Sequence, residues 1–171
     1  MAPQVTFSRS VPGADRIHYV NEEDVRVVLS RIPVELWQKL RAVHFNDRSR
    51  GARVLGYVSR ERRDIALCAL PPRVSLAQCG QPPEQFGAKR GHKWPRIAVR
   101  RFMLYYVFLH ELGHLQPVIK HARSVRLKFA KEKLAHAFAV QWRKRLWAER
   151  FTHPGPVHNP PAVEEFDGLS L

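Results

Sequence analysis

An α+β fold, with a small, mostly antiparallel sheet packed against two long helices, is what these 171 residues predict. Three observations carry that expectation. Short strand-like apolar segments recur between positions 42 and 70. A helix that is apolar on nearly every side follows Pro95. A second helical stretch, long and basic, runs toward residue 151. The length suits one domain with a real core.

Residues 1–16 hold few periodic apolar positions and read as a flexible arm, and 152–171, rich in Pro, Gly, Ser and His, read as a flexible tail. A single domain spans 17–151. Asn21-Glu22-Glu23-Asp24 signals a helix start, with Asn21 as N-cap and acids in the first turn. Val25, Val28, Leu29 and Ile32 continue at helical spacing, and Pro33 ends that helix and opens a second one to Arg41. The period then shortens. Residues 42–47, 53–59 and 64–70 read as strands, the last two joined by Arg60-Glu61-Arg62-Arg63. Residues 71–95, with five Pro and three Gly, form a long loop of the kind that is functional or disordered. One helix is expected over 96–115, stopped before Pro117, and another over 121–151.

The formal charge of +14, from 29 Lys and Arg against 15 Asp and Glu, points to an anionic partner or to well-solvated basic faces. Cys68 and Cys79 form no CxxC pair and suit a reducing compartment. No apolar leader precedes Asp15, and the longest apolar run, Phe102 to Leu109, is eight residues against the roughly 20 of a membrane span. The expectation is a soluble, cytoplasmic protein with no membrane contact.

The chemistry concentrates in His110-Glu111-Leu112-Gly113-His114. Histidines at i and i+4 leave one helix face a turn apart, which lets two nitrogens reach one Zn²⁺ at about 2.0–2.1 Å and leaves room for a third ligand and a water. Glu111 stands beside them as general base, and zinc lowers the water's pKa toward roughly 7. HExxH arises by chance in about one chain in forty of this composition, so the surroundings matter. The apolar turns before it imply a buried helix, where unpartnered His and Glu would be costly. Gly113 costs roughly 1 kcal/mol in a helix interior, which fits close approach of another backbone. On the second helix Glu132 is the only acid between Glu111 and Glu149, and Ala135 and Ala139 share its face. Glu132 and His136 are the two candidates for the third ligand.

Leu109-His110-Glu111-Leu112-Gly113-His114-Leu115, followed by Glu132-Lys133-Leu134-Ala135-His136-Ala137-Phe138-Ala139, resembles the minimal gluzincins, notably the ImmA/IrrE-type proteases, whose pattern is HELGH and then ExxA[ND]xFA. The resemblance covers the two long helices and, more loosely, the sheet. It implies a zincin-like fold, one Zn²⁺ held by His110, His114 and Glu132, and Glu111 as the base. It also implies limited proteolysis of a regulatory or DNA-associated protein. The departure is His136, where that family carries Asn or Asp, so His136 either supports a ligand or serves as one. The longer metzincin pattern fails, because Lys120 stands where its third His belongs and Pro117 where its Gly belongs.

Two further features bear on partners. Zincins bind peptide by strand addition, and Ile65, Leu67 and Ala69 mark the expected substrate edge. Tyr106, His153 and His158 are candidates for steadying the oxyanion, with core packing the plainer role for Tyr106. Lys89, Arg90, Lys93 and Arg96, with Arg100 and Arg101, form a basic block in which Trp94 could stack on a base. That block suits sequence-independent nucleic acid or an acidic protein. It supports a rival reading, a basic nucleic-acid-binding protein whose zinc site is structural.

Overall fold

The computed structural model describes residues 3–51, 53–76, 80–117, 124–149 and 152–162. Strands β1 (Thr6–Arg9), β2 (Ala42–Asn46), β3 (Gly56–Ser59) and β4 (Asp64–Cys68) form one sheet in the order β1-β2-β4-β3. The fold is α+β as expected, but the sheet is mixed rather than mostly antiparallel. β1 runs parallel to β2 and β2 parallel to β4, and only β3 is antiparallel, to β4.

Two pairings produce this: β2 skips β3 to pair with β4, and the N-terminus adds a strand beside β2. Thr6–Arg9, read from sequence as part of a flexible arm, is an edge strand anchored by Thr6 N–H to Arg41 O (2.9 Å) and Ser10 N–H to Phe45 O (2.8 Å). Helix α1 (Glu22–Ser30) then returns the chain parallel to it, as a parallel pair requires. The start of α1 is the expected one. Asn21 Oδ1 accepts from Asp24 N–H at 3.0 Å, and Asp24 Oδ2 accepts from Asn21 N–H at 3.1 Å. Pro33 opens only a 3-10 turn, Val34–Leu36, in place of a helix to Arg41.

α2 (Arg96–Phe102), a π-helical stretch (Met103–Phe108) and α3 (Leu109–His114) make one continuous rod, since the residues at both junctions keep helical dihedrals. It matches the expected helix except for the π segment, which apolar patterning cannot reveal. Phe102, Leu104, Phe108 and Leu109 are fully buried in it, packed with Val43, Ile65 and Leu67 of the sheet. α4 (Val125–Ala148) is capped by the Ser124 side chain, which accepts from Leu127 N–H. The helix limits expected at His121 and Phe151 lie outside the described residues, as does Cys79. Cys68 is a buried free thiol.

The segment after α4 also departs from expectation. Residues 152–162 are not a loose tail, because a 3-10 turn at Pro156–His158 buries Val157 and His158. Arg101, 1 % exposed, donates to Asn159 O (3.0 Å), Pro156 O (3.1 Å) and Phe86 O (3.3 Å), so a buried cation ties this segment to the rod. Among the described residues no helix is long and apolar enough to cross a membrane.

Candidate metal centre

α3 and α4 press together where the sequence offers its smallest residues. A Cβ placed on Gly113 would lie 3.0 Å from Ala135 Cα and 3.2 Å from Ala135 O, so the glycine is required by a neighbouring backbone. That approach brings Glu132, one turn before Ala135, over the two histidines. His110 Nε2 lies 3.1 Å from Glu132 Oε2, His114 Nε2 lies 3.2 Å from Glu132 Oε1, and the two Nε2 atoms are 3.2 Å apart. Donors about 2.0–2.1 Å from a tetrahedral zinc ion stand about 3.3 Å from one another, so the set fits such an ion. Among the described residues these three form the group able to hold a metal, with one ligand atom each inside a 4.8 Å span.

Protonation fits as well. Burial lowers the His110 pKa against the opposing pull of Glu132. Burial also lowers His114, to about 4, helped by His110, Lys131 and Arg60 and opposed by Glu132. Both rings are therefore neutral near pH 7, the form that ligates. Glu111, at 9 % exposure, is pushed up to about 8 by burial and then by the Glu132 carboxylate. A carboxyl held there is poised to exchange protons near neutrality, and a cation beside it would draw it toward the ionised form.

Gly56 of β3 closes the site from the sheet side. A Cβ there would sit 2.8 Å from Val107 Cγ1 and 3.5 Å from Glu111 Cγ, so β3 lies directly against the helix that carries Glu111. A cleft of about 400 Å³ results, walled by Gly56, Tyr57 and Val58 on one side and by α4 on the other, with His110, Glu111 and His114 at its floor.

The remaining candidates sort themselves. His136 is not in the metal-holding group, and its Nδ1 lies 3.0 Å from the Tyr106 hydroxyl. Tyr106 in turn packs on His110 with ring centroids 5.7 Å apart, so the two form a brace beside the ligands. His158 lies elsewhere, 2.8 Å from Tyr105 Oη through Nδ1 and 3.6 Å from Asp24 through Nε2, and His153 Nδ1 accepts from Gly155 N–H. Neither is available to the cleft.

The expected substrate edge is corrected. Ile65, Leu67 and Ala69 are buried, and Ile65 and Leu67 belong to β4, which β2 and β3 flank. The edge strand beside the histidines is β3. The basic block is corrected in part. Trp94 is buried against Phe86 and Phe102 and offers no stacking face, Arg100 pairs with Asp24 at 2.9 Å, and Arg101 is in the core. Arg90, Lys93 and Arg96 are exposed, Lys89 is partly so, and none of them lines the cleft. The cations that do are Arg60, Lys128 and Lys131. From sequence Arg60 is one residue of a charged turn, and Lys128 and Lys131 are surface partners for Glu132 rather than walls of a cleft.

Comparison with family models, curated proteins and solved structures finds no match for the chain, so the gluzincin resemblance stands on the quoted residues of the two helices.

Proposed function

We propose that this chain is a zinc-dependent metallopeptidase of gluzincin type. The observation that carries the reading is the grouping of His110, His114 and Glu132, each imidazole Nε2 lying 3.1–3.2 Å from the other and from one oxygen of Glu132, with a buried Glu111 beside them. A bound zinc ion would supply Lewis acidity, polarising a peptide carbonyl and acidifying water. The chain's own residues do the rest. Neutral His110 and His114 and the Glu132 carboxylate would hold the ion, and no fourth His, Cys, Asp or Glu among the described residues joins their group. That favours an open catalytic site over a closed structural one.

Glu111 takes the proton from the attacking water and passes it to the departing amine, a transfer that a carboxyl poised near neutral pH performs in both directions. β3, an edge strand at the lip of the cleft, offers backbone groups on which an extended peptide adds as a further strand. Tyr106, hydrogen-bonded to His136 and packed on His110, steadies the His110 side of the cleft. Limited proteolysis of a regulatory or DNA-associated protein follows from the family resemblance alone.

The test is metal dependence. A proteome-derived peptide library should be cleaved by the zinc-loaded protein, spared after chelation, and cleaved again when zinc but not magnesium is restored. A library left intact by a protein carrying one zinc per chain would refute the reading.

A further inference from the structure

We infer that the cleft recognises peptides bearing acidic side chains close to the bond presented to the metal centre, an inference that rests on the peptidase reading of the same site. The charge of the cleft carries it. Two of its lining groups, Glu111 and Glu132, are carboxylates, and three, Arg60, Lys128 and Lys131, are cations. A divalent ion on His110, His114 and Glu132 would balance the two carboxylates, so the three basic side chains would set the sign of the cleft.

Their placement also fits a strand. Arg60 follows directly on the last residue of β3, at one end of the edge where a peptide would pair. Lys128 and Lys131 rise from α4 on the opposite wall, at i−4 and i−1 from Glu132. In an extended peptide alternate side chains point to opposite faces, so those on the face that Gly56 turns toward the helices meet α4 and its lysines. Acidic residues there would gain partners, whereas Lys or Arg would meet like charge. A cleft of about 400 Å³ between a strand and a helix suits one extended chain rather than a duplex. The aromatic that a single-stranded nucleic acid would stack upon, Trp94, is in the core.

Two measurements test the inference. In the first, zinc-loaded full-length protein digests a proteome-derived peptide library, and the residues flanking each cut are read by mass spectrometry. Asp and Glu should be enriched about two- to fivefold at one or two positions, and Arg60→Glu should weaken that preference. In the second, the zinc-loaded Glu111→Gln protein binds a fluorescent peptide rich in Asp and Glu, followed by anisotropy, against the matched Asn and Gln peptide. The acidic peptide should bind about tenfold tighter at low salt, and Arg60→Glu and Lys128→Glu should each reduce the difference severalfold.

Cleavage with no acidic preference would overturn the inference and leave the peptidase reading intact. Acidic-peptide binding sensitive to Arg60→Glu, with no cleavage of any peptide, would support the recognition and overturn hydrolysis. A DNA oligonucleotide that binds through these residues more tightly than the acidic peptide would overturn the inference in favour of nucleic acid.

Discussion

Gly113→Ala probes the contact on which the metal centre depends. The added Cβ would lie 3.0 Å from Ala135 Cα, 3.2 Å from Ala135 O and 3.2 Å from Phe138 Cβ. None of these atoms can rotate aside, so restoring an ordinary contact near 3.6 Å moves α3 and α4 apart by about 0.5 Å. Alanine gains about 1 kcal/mol of helix propensity, and overpacking of this kind costs about 1–3 kcal/mol. The expected net loss is therefore only about 1 kcal/mol. The metal site is far less forgiving. Glu132 rides on α4 one turn from the contact, and a 0.5 Å displacement exceeds the roughly 0.2 Å tolerance of a ligand set. Zinc affinity should fall about tenfold or more. Urea unfolding of the metal-free protein and competition with a chromophoric chelator measure the two effects. A variant that is stabilised by about 1 kcal/mol and binds zinc as tightly as the parent would refute the close-approach account of Gly113.

Three further outcomes are expected. Glu132→Ala should weaken zinc binding at least a hundredfold and His136→Ala by roughly tenfold, by chelator competition, and the reverse order would exchange their roles. In metal-free protein, Glu111 at about 8 keeps a proton that the unfolded chain releases near 4.5, so stability falls as pH rises through that window, while the lowered histidines lose stability only as pH falls below 6.5. Between pH 6.5 and 8 Glu111 acts without opposition from them, and urea unfolding should show a loss of about 2 kcal/mol that Glu111→Gln removes. Arg101→Met leaves three carbonyls, one of them buried, without their donor, so about 3 kcal/mol should be lost and residues 152–162 should become open to proteolysis.

Local signals in the sequence were enough to place the main helices and to single out the three residues that could hold a metal. Asn21 through Asp24 encode their own capping box, and the i, i+4 spacing of His110 and His114 needs only a helix to become a pair. The small residues at 113 and 135 foretold which faces meet. What depends on long-range pairing was not legible. Thr6–Arg9 has little apolar character, as an edge strand whose partner lies 36 residues away, and β2 pairs in parallel with β4 past the intervening β3, so a mixed sheet read as a mostly antiparallel one. Pairing the strands in chain order made β4 look like an edge, whereas β4 pairs directly with β2 and leaves β3 outside. The hydrophobicity of 65–70 is instead that of a strand covered on both sides by neighbours. Trp94 and Arg101 lay in a run of basic residues that looked like surface, yet both are core, and sequence offers no sign of carbonyls contributed by residues 156 and 159.

Glu111→Gln tests the proposed chemistry most directly, because it removes the proton acceptor and leaves the three ligands in place. Zinc content and cleavage of the peptide library should be measured on the same preparation. The expected result is one zinc ion per chain in both proteins and cleavage by the parent only. Equal cleavage by the two would contradict the role assigned to Glu111 and, with it, the metallopeptidase reading.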